Sequence, residues 1–154
     1  MSWVLLAYRL PREPSTPRSA LWRRLRRLGA VQVLDGLAAL PLDARNREQL
    51  EWLADEVVEA GGEATIWVAE LGSAAQEREL AAGIAEAVAA DYRALIEEMV
   101  AARDQPPGQR RRTLARLRRE LRRIRARDHF PPAERELAQR ALDELASVVE
   151  ERVA

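Results

Sequence analysis

"AVQVLDGLAAL", residues 30–40, holds two short apolar runs, 30–34 and 37–40, on either side of Asp35-Gly36. An Asp-Gly pair between such runs marks a two-residue hairpin, because the tight turn needs positive φ and glycine adopts it without steric cost. The pattern predicts two adjacent antiparallel strands. The flanking segments must be arranged around that hairpin.

Upstream, Trp3, Leu5 and Ala7 alternate with Val4, Leu6 and Tyr8. Both faces are apolar, which predicts a central strand. A loop with Pro11, Pro14 and Pro17 follows, and then a helix. Ser15 or Thr16 suits its N-cap, with Pro17 as first residue. Leu21, Leu25 and Leu28 share one face with Trp22 flanking them, and Gly29 ends the helix.

Downstream, a second helix is expected from near Asn46, whose partner Gln49 completes a capping box. Leu50, Leu53, Ala54 and Val57 form its core stripe, and Gly61-Gly62 stop it. Residues 65–71 read as a fourth strand. The order β-α-β-β-α-β over residues 1–72 predicts an α+β fold of the ferredoxin-like split βαβ type. Such a sheet carries helices on one face, yet Trp3 and Leu5 oppose Val4 and Leu6, and Trp67 opposes Ile66 and Val68. Both faces are expected to be buried, so the second needs a cover.

Residues 73–154 predict a three-helix C-terminal extension, packed on the sheet, on a partner subunit's sheet, or on itself. Ser73 and Gln76 form a capping box ahead of Leu80, Ile84, Val88, Tyr92, Leu95 and Met99. "DQPPGQ" at 104–109 breaks that helix. The next, about 110–127, places Leu114, Leu117, Leu121 and Ile124 at seam spacing with arginine almost everywhere else. "DHFPP" at 128–132 is a second break, and a last helix runs to about Arg152 with Leu137, Leu142, Leu145 and Val149 inward.

The chain has no cysteine and one histidine, His129, which removes disulfides, thiolate chemistry and the usual zinc sets. No serine, histidine and acid constellation and no phosphate-cradling glycine loop occurs, so no catalytic residue, metal or cofactor is expected and the chain is not read as an enzyme. His129 suits packing or capping, and Asp35 suits a plain turn residue better than a metal ligand in a dimer. No apolar run reaches membrane-spanning length and no leader pattern is present, which predicts a cytoplasmic protein with no membrane partner.

All 25 basic residues are arginine, matched by 25 acids. Their distribution is uneven. Residues 1–29 carry seven arginines against one glutamate, and residues 106–128 carry ten against two acids. The intervening and final segments are acidic.

These basic stretches yield the candidate sites. Arg9, Arg12 and Arg18, with Ser15 and Thr16 at a helix N-terminus, suit an oxyanion. A cation at position 18 opposes the helix dipole, so a negative partner is expected, either Glu13 in a structural clamp or a bound anion. The clamp is the commoner arrangement. Arg23, Arg24, Arg26 and Arg27 suit phosphate contacts or a solvated face. Arg118, Arg119, Arg122 and Arg123 suit DNA backbone or charge neutralisation within the helical extension. Trp52 lies opposite Leu50 and Val57, either as an interface anchor or beneath another helix. With the doubly apolar sheet it suggests a homodimer.

"YRLPREPSTPR", "WRRLRRLGA", "DGLAALP" and "REQLEWLADEV", continuing into "DYRALIEEM" and "RARDHFPP", resemble the N-terminal domain of the ChrB-type chromate resistance proteins. The resemblance implies a bacterial cytoplasmic protein and a chromate-responsive regulator of efflux-pump expression, with chromate or a sulfate-like oxyanion and DNA as partners. It also implies kinship in fold with the ferredoxin-like domains of phenylacetate-type repressors and small CRISPR-associated nucleases. The family's motif falls on Arg9, Arg12, Glu13, Ser15, Thr16, Arg18, Trp22, Arg23 and Arg24, with Glu13 and Trp22 as structural members. Full-length members have a second, C-terminal domain of similar size, which this chain is expected to lack. A structural interaction module and a nuclease-like enzyme with a metal at Asp35 are the alternatives.

Overall fold

The structure is a computed structural model that describes residues 1–151. Its elements are β1 (Ser2–Arg9), α1 (Thr16–Leu28), β2 (Val31–Leu34), β3 (Leu37–Pro41), α2 (Ala44–Glu59), β4 (Glu63–Glu70), α3 (Ala74–Ala102), α4 (Pro107–Ala126) and α5 (Glu134–Glu151). The fold is α+β, with one four-stranded antiparallel sheet in the order β2-β3-β1-β4. No helix among the described residues is long and apolar enough to cross a membrane.

The chain divides into two compact units, one of residues 1–84 and one from Ala85 onward. The first thus includes the opening turns of α3 as well as the sheet, whereas the sequence pattern placed a boundary at 72/73.

In the first unit β1 is central. Leu5 pairs with Ala39 on β3 and with Trp67 on β4. Val4, Leu6, Ala38 and Leu40 face α1 and α2, packing with Leu21, Leu25, Leu50, Leu53 and Val57. Each buried aliphatic side chain here contributes about 1.5–3 kcal/mol.

The opposite face is covered in part. Trp3 and Ala39 are fully buried. The Trp3 indole donates to Glu77 in the first turn of α3 at 3.3 Å, and a Cβ at Gly83 would lie 3.7 Å from Val31. The start of α3 therefore lies over the Val31-Ala39 row. Its cover does not reach β4, an edge strand, where Trp67, in register with Leu5, is 59% exposed. The expectation that both faces are buried holds at Trp3, Val4, Leu6, Ala38, Ala39 and Leu40 and fails at that edge.

Several helix boundaries differ from the sequence pattern. The cap of α2 is Asp43, whose carboxylate accepts the Asn46 N–H at 2.6 Å. Asn46 is instead buried inside the first turn, donating to the Pro41 carbonyl at 2.9 Å. Asp43 and Asn46 are both good caps, and the exit of β3 at Pro41 selects the earlier one. Ser15 is the N-cap of α1 but has helical dihedrals and makes no side-chain cap bond. Gly29 ends α1 with φ 77°, as expected.

The second unit is built by the later part of α3 with α4 and α5. Tyr92, Leu95 and Met99 pack against Leu117, Leu121, Ile124, Ala138 and Leu145. Here the helices pack on each other. The inward stripe of α5 is Ala138, Ala141, Leu142 and Leu145, so Leu137, expected inward, is 49% exposed. The alanines carry the contact because their small side chains let the helix approach closely. The expected end of this helix near Arg152 lies outside the described residues.

Tyr92 is fully buried and its hydroxyl donates to Asp128 at 2.8 Å, with Arg135 3.4 Å from the same carboxylate oxygen. Burial, and then the adjacent Asp128 carboxylate, push the Tyr92 phenol well above its usual value of 10. The unfolded chain therefore loses this proton first as pH rises, so the stabilisation is complete below about pH 10 and declines above it. Tyr92→Phe is expected to cost about 1–3 kcal/mol at neutral pH by leaving a buried carboxylate with Arg135 alone, and to flatten the alkaline decline, both read by urea denaturation.

Gly36, the second residue of the hairpin turn, has φ 78°, and a Cβ there would sit 2.5 Å from the Tyr8 carbonyl oxygen. Gly36→Ala is expected to destabilise the protein by about 2 kcal/mol or more, measured by the same denaturation.

Candidate functional site

The sheet and α1 border an open cleft of about 940 Å³. Its walls come from four places. The end of β1 supplies Tyr8 and Arg9, the following loop Leu10 and Arg12, α1 supplies Arg18, Ser19, Trp22 and Arg23, and the hairpin supplies Gln32, Asp35 and Gly36. The spacing 18, 19, 22, 23 is one face of a helix, which is why these four side chains meet the hairpin together.

The Tyr8 backbone N–H donates to the Gly36 carbonyl at 2.8 Å and holds the turn against the end of β1. Gln32 braces the same corner, donating to the Tyr8 hydroxyl at 2.8 Å and the Leu34 carbonyl at 2.9 Å. Trp22 is 55% exposed, with the Arg26 guanidinium 5.2 Å from its ring centroid. It forms part of the cleft wall.

The arginines fall into distinct groups. Arg9 pairs with Glu63, its neighbour in register on β4. Arg24 pairs with Glu56 of α2. By contrast Arg12, Arg18 and Arg23 are exposed, and each lacks an ion pair or hydrogen bond among the described residues. Glu13 is exposed and forms no ion pair with Arg18, so the clamp expected between them is not present. Ser15 and Thr16 are exposed at the start of α1 and do not line the cleft. Arg18 lies in a first turn that contains no acid, where a cation costs about 0.3–1 kcal/mol against the helix dipole.

Asp35 is the cleft's one carboxylate, and it too lacks a partner among the described residues. Sequence reasoning treated it as a turn residue and did not connect it with the arginines. Tyr8 and Gln32 were missed as wall residues. The usable signal was the hairpin register, which sets the turn beside the end of the central strand. No group of three metal-binding side chains occurs among the described residues.

Elsewhere, part of the expected charge neutralisation in the second unit is present. Arg116 pairs with Glu98 at 3.3 Å, Arg127 with Asp91 at 3.0 Å, and Arg103 with Glu144. The outer face of α4 is left over. Arg118, Arg119 and Arg122 are exposed without partners among the described residues, and Arg123 pairs only with Glu120 on its own helix at 3.0 Å. Trp52 is 59% exposed on α2, and Arg27 is exposed on α1.

Against known proteins, the sequence profile described as "Protein ChrB, N-terminal" matches residues 18–104, more than half of the chain. Protein ChrB of Cupriavidus metallidurans is 31% identical over 96 residues, which is 62% of this chain and 26% of that protein. The chain thus matches about a quarter of that relative's length. No solved structure matches.

Unpaired arginines contribute little to folding, so their removal separates stability from function. Arg18→Ala is expected to leave stability unchanged or raise it by about 0.3–1 kcal/mol at low salt. Arg24→Ala is expected to lose no more than about 1 kcal/mol, because its pair with Glu56 is half-exposed. Thermal denaturation of both variants beside the wild type measures the contrast.

Proposed function

The chain belongs to the family of ChrB N-terminal domains, and from that premise we propose that it is an oxyanion-responsive regulatory domain of chromate resistance. One observation carries this reading: Arg12, Arg18 and Arg23 line one cleft with no partner for their charges among the described residues. Guanidinium forks suit a tetrahedral dianion because they donate two parallel hydrogen bonds to a pair of its oxygens. The element order β-α-β-β-α-β, with β1 between β3 and β4, supports placing the sheet among ferredoxin-like domains.

DNA is the second partner of this reading. Arg118, Arg119 and Arg122 on α4, without partners among the described residues, favour it, since a basic helix face suits contact with phosphates more than base reading. The exposed Trp52 offers an anchor for a homodimer.

Calorimetry with chromate and with sulfate tests the cleft. Chromate is expected to bind, and Arg18→Ala to weaken it at least tenfold. Tight binding indifferent to Arg18 rules the cleft out. For DNA, gel shifts with the promoter region beside the gene are expected to weaken steeply with salt, and the double variant Arg118→Ala, Arg119→Ala to lower the salt slope by about two. Binding of neither anion nor DNA favours a protein-interaction module.

A further inference from the structure

A tetrahedral oxyanion does not account for the whole cleft. Clefts of about 300–1,000 Å³ hold organic ligands of drug size, and this one, at about 940 Å³, lies at the upper end. It also contains two features that a bare dianion does not use. One is Trp22, a large aromatic surface on the wall, 55% exposed where tryptophan is ordinarily buried. The other is Asp35, a carboxylate without a partner among the described residues, facing the same space as Arg12, Arg18 and Arg23.

Asp35 is the more telling of the two. Beside a dianion a carboxylate is repulsive, and a site evolved for chromate alone gains by losing it. Beside a nucleoside it is an acceptor for ribose hydroxyls or an exocyclic amine. Tryptophan likewise adds nothing to a phosphate but supplies a stacking platform for a base, an interaction worth about ten- to a hundredfold in affinity. The Tyr8 and Gln32 pair closes the wall between them with further hydrogen-bonding groups.

We propose that the cleft binds a nucleotide unit, its phosphate on Arg12, Arg18 and Arg23, its base against Trp22 and its sugar or base edge on Asp35. This rests on the anion-binding reading above and narrows it. The same chemistry is offered by a free mononucleotide and by one unit of a single strand, whereas a duplex keeps its bases stacked away from the wall.

Calorimetry on the full chain with inorganic phosphate, ribose 5-phosphate, AMP and an eight-nucleotide single strand tests it. AMP is expected to bind at least tenfold more tightly than ribose 5-phosphate. Trp22→Ala is expected to abolish that advantage while leaving inorganic phosphate within about threefold. Asp35→Asn keeps a favourable turn residue and is expected to raise phosphate affinity while lowering the AMP-to-phosphate ratio. A single strand that binds more tightly than AMP identifies nucleic acid as the source, and equal affinity identifies the free nucleotide. AMP binding no tighter than ribose 5-phosphate, or unchanged in Trp22→Ala, overturns the nucleotide proposal. The anion reading then survives if phosphate or chromate still binds and Arg18→Ala weakens it. If none of the four ligands nor chromate binds, both fall.

Discussion

Gly36 and the end of β1 touch backbone to backbone. The Tyr8 N–H donates to the Gly36 carbonyl at 2.8 Å, and the Tyr8 carbonyl occupies the space a Cβ at Gly36 would need. Much follows from this approach. It fixes the β2-β3 hairpin against the central strand, and with it the register that sets Ala39 beside Leu5. It also carries Asp35 and Gln32 to the strand end, where the chain continues through Arg9 and Arg12 toward α1. The tight turn of the fold and one wall of the cleft are the same piece of backbone.

The charge distribution takes its meaning from that frame. Arginines that meet a carboxylate across an element boundary, such as Arg24 with Glu56 or Arg127 with Asp91, neutralise neighbouring segments. An exposed pair such as Arg24 with Glu56 adds little stability, about 0–1 kcal/mol. Arg12, Arg18 and Arg23 have no such partner among the described residues, and one of them opposes a helix dipole. Cations held near one another without compensation are not explained by folding, and a concave wall is where an external anion neutralises them best. The outer face of α4 is a convex case of the same imbalance, better suited to an extended polyanion.

Legibility in the sequence followed the range of the interaction concerned. The hairpin turn, the Gly29 stop and the leucine seam of α4 depend on residues within a few positions of one another, and their patterns predicted them. The cap of α2 did not follow, because Asp43 and Asn46 are equally good locally and the exit of β3 chooses between them. The second face of the sheet was half legible. Its apolar residues signalled a cover, but how far α3 extends over it left Trp67 outside. For the site, Arg9, Arg12 and Arg18 stood out as a cluster of like charge, while Glu13 gave a false partner because adjacency in a loop says nothing of side-chain direction.

Periodicity and turn chemistry were thus sufficient for the element order, the α+β class and the basic character of the 9–27 stretch, since these arise from local backbone preference and from which side chains repeat on one face. The cleft arises otherwise. Tyr8, Trp22, Gln32 and Asp35 belong to separate elements, and no local pattern relates them until strand pairing and helix packing set their distances. The same applies to Trp22, whose spacing sets it at the flank of a leucine stripe. Only the packing of α1 against the hairpin makes that flank a wall of the cleft.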